Sequence, residues 1–577
     1  MSIFSGAERG VARINRAVHL ALLVILVSMI GGSLAGVVSY KKQQLAWDKN
    51  DWKRIEAFGL RKAGIKWDSY FLRLRVMPHP RWATTSRKLD YWLALEFERK
   101  YKIPLVQISQ VGAGGSILLS VLFFVYLSFN GKADDKFRRG SQLLSAKELK
   151  GHIEKEKKVS KNCIKIGDVP IPEDDEFKHI TATGTTGAGK SQLVQSLLRQ
   201  ARAQGDKVLV FDPGAEFLSG FYKDGDTILN PFDMRSAYWS PLNEIDNPMD
   251  ADALAHSAIQ PSAGDASGSS YFYEGGRAIM SVILGLMKTG QLKDDVADVF
   301  CSSTVADFQK YLFKTKAYNY VDPQAKGQGS GGVLSTIITR IEKWSYLAEV
   351  PKTNPFSIRK WIKNEDDNSW LWLTSIESEQ ISLEGMISTW IDIAARQILS
   401  REPRQGKRIW IVIDELASLQ KLPALLRLLS MGRKYRAVVV LGTQSPAQLE
   451  LIYKKEGLRV IEDTTGTRCA FRLENAESLE AASKMFGEHE FLRENENDNT
   501  GKMRGKAFSE QVTKERIIMP SEIQTLPDLH HYLRLAGGLP VAKLKLPYVP
   551  SKKVTERIIP REITFKTPVT GVSLKDF

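Results

Sequence analysis

The strongest chemical signal in the chain is Gly184-Thr185-Thr186-Gly187-Ala188-Gly189-Lys190-Ser191, which fits the phosphate-loop pattern GxxxxGK[ST]. Glycines at this spacing let successive backbone N–H groups close around phosphate oxygens, and a helix starting behind them adds its partial positive charge. Lys190 has the reach and charge for the β and γ phosphates, and the Ser191 hydroxyl is placed to ligate Mg²⁺. ATP and Mg²⁺ are therefore the expected ligands. A second signal is the apolar run Ile409–Ile413, which ends in Asp414-Glu415. In a P-loop enzyme an acid at a strand's carboxyl end holds the metal, which suits Asp414, and Glu415 would orient and deprotonate the attacking water. A third is the run Arg436 to Leu441, followed by Gly442-Thr443-Gln444-Ser445. There the Gln444 amide would stand beside the γ-phosphate. Arg433 belongs to the basic cluster just upstream. Such clusters are ordinarily solvated faces, but in a ring ATPase an arginine here can enter the neighbour's site and neutralise transition-state charge.

These groups need strands and helices to hold them. Residues 178–183 read as a short strand and Gln192 to Ala203 as an amphipathic helix, so the phosphate loop has the strand–loop–helix setting it requires. Leu416 to Leu429 reads as largely helical with a break at Pro423. Strands alternating with helices imply an α/β fold around the P-loop. Residues 246–350 interrupt that pattern and lack β-type alternation, with a Gly/Ser-rich loop at 261–270 and a flexible link at 327–332.

The sequence has 577 residues and a net charge of +15, and the location of that charge excludes one easy inference. Residues 1–160 hold 28 Lys and Arg against 13 Asp and Glu, so the surplus lies there and the P-loop segment is near neutral. The basic balance therefore says nothing about a grip on DNA and is better read as charge flanking a membrane. Residues 17–40 and 108–129 are each apolar for long enough to cross a bilayer. Arg9, Arg13 and Arg16 followed by Ser33-Leu34-Ala35 have the look of a signal peptide, but the apolar run exceeds the usual h-region. Residues 1–130 thus read as a two-helix transmembrane hairpin. ATP is cytoplasmic, which puts both termini inside and the tryptophan-rich loop in the periplasm of a bacterial inner membrane. Residues 131–160 read as a charged linker with some helix, and 493–506 as a mobile polar loop. Cys163, Cys301 and Cys469 lack disulfide or zinc spacing and suit a reducing compartment.

Taken in order, two spans, GTTGAGKS, FDPGAEF (211–217), LNPFDMRSAYWSPLNEI (229–245), WIVIDELASLQKLPAL (410–425), GRK (432–434), LGTQSPAQLE (441–450) and LPDLHHYLRLAGGLPVAKLKLPY (526–548) resemble the type IV secretion coupling proteins of the TraD/TrwB kind. The P-loop and its acidic partner are shared with many NTPases, whereas the NPFD…W and GTQS…QLE segments are particular to this family. The resemblance implies a RecA-like P-loop ATPase domain over residues 161–245 and 351–577 with an inserted all-α domain at 246–350, in a homo-hexameric motor that brings relaxase-bound single-stranded DNA to the components of a conjugation channel. It maps the family's trans-acting arginine onto Arg433 and its phosphate-sensing glutamine onto Gln444. F-type relatives carry a long extra C-terminal tail, whereas this chain stops at Phe577, and its last residues, 571–577, are expected to be a disordered end. Two other functions compete: a coupling ATPase for effector proteins, and an assembly protein in which ATP only organises the channel entrance. The second would need nucleotide contacts but no general base.

Overall fold

The computed structural model describes residues 136–261, 270–293, 295–322, 329–498 and 506–562. Both expected membrane spans and the terminal residues 571–577 lie outside these. Among the described residues no helix is long and apolar enough to cross a membrane. Among the described residues, 137–492 and 512–562 belong to one compact unit, which holds the sheet, helices and site described below.

Ten strands make its sheet: β1 (Leu143–Ser145), β2 (Ile180–Thr183), β3 (Lys207–Pro213), β4 (Thr227–Leu229), β5 (Leu371–Ser375), β6 (Ile409–Ile413), β7 (Ala437–Thr443), β8 (Thr467–Ala470), β9 (His530–Arg534) and β10 (Val541–Lys545). Their spatial order is β1-β10-β9-β8-β2-β7-β6-β3-β5-β4. The seven strands from β8 to β4 are parallel, and β9 and β10 extend the sheet by antiparallel pairing. Parallel strands are covered on both faces, which is why β6 and β7 are apolar without a polar alternate. Side-chain alternation still divides them: Leu209, Phe211, Ile411, Ile413, Val439 and Leu441 enter one core, and Val208, Val210, Trp410, Val412, Val438 and Val440 the other.

The helices are α1 (Ala146–Glu156), α2 (Lys190–Gln204), α3 (Glu216–Phe221), α4 (Pro248–Ala258), α5 (Ser270–Lys288), α6 (Val296–Ser302), α7 (Val305–Tyr311), α8 (Ser330–Ile341), α9 (Ile358–Lys363), α10 (Glu377–Leu399), α11 (Pro423–Met431), α12 (Pro446–Thr464) and α13 (Ala476–Phe486). Helix α2 buries Leu193, Val194, Leu197, Leu198 and Ala201 under one face of the sheet. Helices α4 to α8 share the other core with the long, largely buried α10.

The segment 229–245 forms the base where the helical insertion leaves the sheet. Buried Glu244 accepts hydrogen bonds from Trp239 Nε1 (2.9 Å) and from the backbone N–H groups of Ile358 (2.7 Å) and Arg359 (2.9 Å). One carboxylate thus fixes the exit segment to the first turn of α9, where the chain returns.

Four local expectations are sharpened or corrected. The charged linker with some helix is folded from residue 136: β1 pairs with β10, and the helix is α1, which buries Leu149 and Ile153 beneath a Ser145–Glu148 capping box. The polar stretch read as a loop at 493–506 begins in a strand, Glu488–Asp498, and ends at the start of another, Lys506–Arg516. Pro423 begins α11 rather than breaking a helix, because its missing N–H costs nothing in a first turn. Strand β7 starts at Ala437, since Arg436 has a φ of 56° and ends the preceding turn.

Candidate functional site

The phosphate loop hangs from both neighbours of β2. The Gly184 N–H donates to Thr443 O at the end of β7 (3.2 Å), and the Thr185 N–H donates to Arg472 O just past β8 (2.9 Å). On the far side of the loop, Ala188 O accepts from the Leu529 N–H (2.9 Å). Gly189 takes a φ of +118°, and a Cβ there would stand 3.0 Å from Leu529 Cα, so conformation and space both demand glycine. Helix α2 then starts at Lys190 and points its free N–H groups into a cavity of about 880 Å³.

Thr185, Thr186, Gly187, Gly189, Lys190 and Ser191 line this cavity, together with Asp414, Glu415 and Gln444. Gly184 and Ala188 do not. Gly184 packs against Phe471, whose Cβ would be 2.6 Å from an added methyl, and Ala188 is buried. Both shape the loop from behind.

Lys190 Nζ is folded back onto the loop, donating to Gly184 O and to Thr185 O (3.2 Å). Burial lowers its pKa, while Glu415 and Asp414 act in the opposite direction. Asp414 is held up at about 6, chiefly by burial, against the pull of Lys190 and with a further push from Glu216. The close approach of β7 that brings Gln444 alongside depends on Gly442: a Cβ there would lie 1.9 Å from Asp414 O. Burial also raises the pKa of Glu415, which Lys190 and a hydrogen bond from the Gln444 side chain oppose. Its Oε1 is buried and has no hydrogen-bond partner. A carboxylate oxygen left unsatisfied beside a phosphate loop has room for a water or a reacting group.

The residues fit Mg²⁺ carried with a nucleotide. Among the described residues no cluster of three or more His, Cys, Asp or Glu could hold a metal by itself. One carboxylate, Asp414, and one hydroxyl, Ser191, match a cation that keeps water and phosphate oxygens as its remaining ligands.

Arg433 is elsewhere. It sits in the turn Gly432–Tyr435 before β7, whereas Gln444 follows β7, so the seven-residue strand separates them by about 20 Å. Its side chain is 59% exposed, and the acid paired with it is Asp174 at 3.9 Å, itself 92% exposed.

The sequence reading missed Asp212 at the end of β3. The β3–β6 register sets Phe211 opposite Ile413, so Asp212 and Asp414 follow side by side. Asp212 accepts from the Glu216 N–H (3.1 Å) and the Leu218 N–H (2.8 Å), and burial, with Asp414 adding to it, pushes its pKa up to about 7. The signal was available: an acid closing an apolar run is what identified Asp414. Glu377, Gln380, Ile381 and Glu384 of α10 form the opposite wall, and Tyr548 stands at the mouth. Only the tertiary fold brings these to the loop.

Comparison with known proteins agrees with this geometry. Residues 163–547 match the family model described as the type IV secretion-system coupling protein DNA-binding domain. The coupling protein TraD of Escherichia coli (strain K12) is 31% identical over 464 residues, which is 78% of this chain but only 64% of TraD. Among solved structures, the plasmid coupling protein TrwB in complex with ADP and Mg²⁺ matches with a TM-score of 0.64 and 28% identity, over 74% of this chain and 98% of that one. Its complex with a non-hydrolysable ATP analogue gives 0.65 and 28%, over 75% and 99%.

Proposed function

Because this chain belongs to the coupling proteins of type IV secretion systems, we propose that it is an ATP-driven motor delivering relaxase-bound single-stranded DNA to a secretion channel. The observation that carries this reading is the convergence of Lys190, Ser191, Asp414, Glu415 and Gln444 on one cavity. TrwB, similar across nearly its whole solved length, is recorded with ADP and Mg²⁺ and with an ATP analogue.

In this mechanism Lys190 leaves the carbonyls of Gly184 and Thr185 and turns to the β and γ phosphates. Ser191 and Asp414 would hold Mg²⁺, which would supply charge neutralisation at the phosphates. Glu415 orients a water for in-line attack on the γ-phosphorus and takes its proton, and the bond to the β–γ bridging oxygen breaks. Gln444, hydrogen-bonded to Glu415, carries the state of the γ-phosphate into β7. Arg433 lies too far along β7 to reach its own loop, so it serves the next subunit of a ring, a homo-hexamer. Residues 1–130 anchor that ring in the inner membrane.

A DNA motor of this kind needs backbone electrostatics and no base reading. Turnover of the full-length protein should therefore rise with single-stranded DNA of any sequence, and the stimulation should fade steeply between 50 and about 200 mM salt. Turnover indifferent to DNA, with protein export lost but conjugation intact in a Glu415→Gln strain, would assign the protein to effector secretion instead.

A further inference from the structure

His179 is buried to 2% exposure immediately before β2, the strand that leads to the phosphate loop, and the chemistry above does not use it. Its backbone has a φ of +56°, a conformation uncommon outside glycine but one that asparagine, aspartate and histidine adopt more often than other residues. The ring is nevertheless fully engaged. The Val439 N–H of β7 donates to Nδ1 (3.1 Å), and an N–H can only donate, so the ring proton sits on Nε2 and is donated to Leu429 O (3.0 Å). Burial lowers the pKa to about 4, which keeps this neutral tautomer in place at physiological pH.

Leu429 O is one of the last carbonyls of α11, which lack partners within the helix. The arginine-bearing turn follows at Gly432, and Gly432 lies directly on the ring: a Cβ there would be 3.2 Å from His179 Cε1. The far end of the turn is tied separately, by Arg404 N–H to Lys434 O (2.6 Å) and Arg401 to Tyr435 O (3.1 Å). Among the described residues the ion-pair partner of Arg433 is the solvent-exposed Asp174, an interaction worth little. The point from which the guanidinium extends is set by the backbone of its turn, and His179 joins the start of that turn to β7.

We propose that His179 is the positioning residue that aims Arg433 at the neighbouring subunit's nucleotide site. This rests on Arg433 acting in trans. It adds a physical link between the strand feeding a subunit's own phosphate loop and the arginine it presents to its neighbour. A guanidinium displaced by an ångström from developing charge loses much of its effect.

The test uses full-length protein in lipid nanodiscs and the variant His179→Asn. Asparagine tolerates the positive φ and keeps an acceptor near Nδ1, but it cannot reach Leu429 O. The expected result is a fall in kcat of roughly 10- to 100-fold with nucleotide-analogue affinity unchanged. Mixed with Lys190→Ala subunits, His179→Asn should regain turnover, because its intact phosphate loops then meet sound arginines. Mixed with Arg433→Ala subunits it should stay inactive. If Arg433→Ala with Lys190→Ala recovers and His179→Asn with Lys190→Ala does not, His179 is only a structural residue and the proposal falls. If neither pair recovers, the in-trans reading itself fails and takes the proposal with it. Should His179→Asn not fold, Gly432→Ala displaces the turn from the opposite side and must show the same pattern. Normal turnover from Gly432→Ala would equally overturn the proposal.

Discussion

Arg433 and Gln444 bracket one strand: Arg433 lies in the turn that enters β7, and Gln444 is the first residue after it. Gln444 thus lines the cavity at one end of β7, and Arg433 is exposed at the other. The seven residues between Gln444 and the arginine turn are all buried.

Lys190→Ala should abolish turnover and weaken nucleotide binding, because the lysine supplies charge in the ground state as well as the transition state. Glu415→Gln should bind the nucleotide normally and lose at least about 100-fold in kcat, the usual loss on removing a general base. Equilibrium binding of a fluorescent ATP analogue beside steady-state turnover separates the two.

Gly442→Ala should be among the most damaging small substitutions in the chain. Its methyl would meet Asp414 O at 1.9 Å, so β6 and β7 must part at the point that carries the Asp414 carboxylate. A loss of about 3 kcal/mol or more is expected, seen as a lower calorimetric transition temperature. A variant as stable and active as the parent would show that the strand ends adjust freely.

The buried carboxylates give a pH dependence with a definite sign. Asp212 has a folded pKa of about 7, above the unfolded value of about 3.9, so the folded protein binds the extra proton. Its ionisation penalty is absent at low pH, builds as pH rises through 4 to 7, and is fully present above. Asp212→Asn removes it. The variant's melting temperature should therefore gain on that of the parent as pH goes from 5 to 8. A constant difference would mean that Asp212 is ionised throughout.

Asp392 ties three helices together. It accepts from Ser257 Oγ of α4 (2.6 Å), the Ala424 N–H of α11 (2.7 Å) and Arg396 Nε of α10 (3.0 Å), and it is 1% exposed. Asp392→Ala leaves the buried Ala424 N–H without its acceptor and should cost about 1–3 kcal/mol by denaturant unfolding. A cost below 1 kcal/mol would place the network among dispensable contacts.

The sequence made the chemistry legible where spacing along the chain sets geometry. The phosphate loop with α2, and β6 ending at Asp414-Glu415, are local units whose periodicity and composition determine their form. Helix α1 was expected as some helix in a charged linker, whereas strand β1 is only three residues long and pairs with β10 some 400 residues away, so no local pattern marks it. Asp212 was passed over although it carries the same strand-end signal as Asp414. Glu377, Glu384 and Tyr548 carry no local mark at all, and their place at the cavity follows from sheet order. His179 was read only as part of a strand, and its reach to Leu429 O spans 250 residues.

The central claim is a nucleotide site completed between subunits, and mixing two inactive variants tests it most directly. Full-length Arg433→Ala and Lys190→Ala proteins, co-assembled in one membrane, should hydrolyse ATP faster than either alone. Their interfaces then include intact phosphate loops facing intact arginines. Mixtures that assemble together yet remain as inactive as their parents would contradict the account.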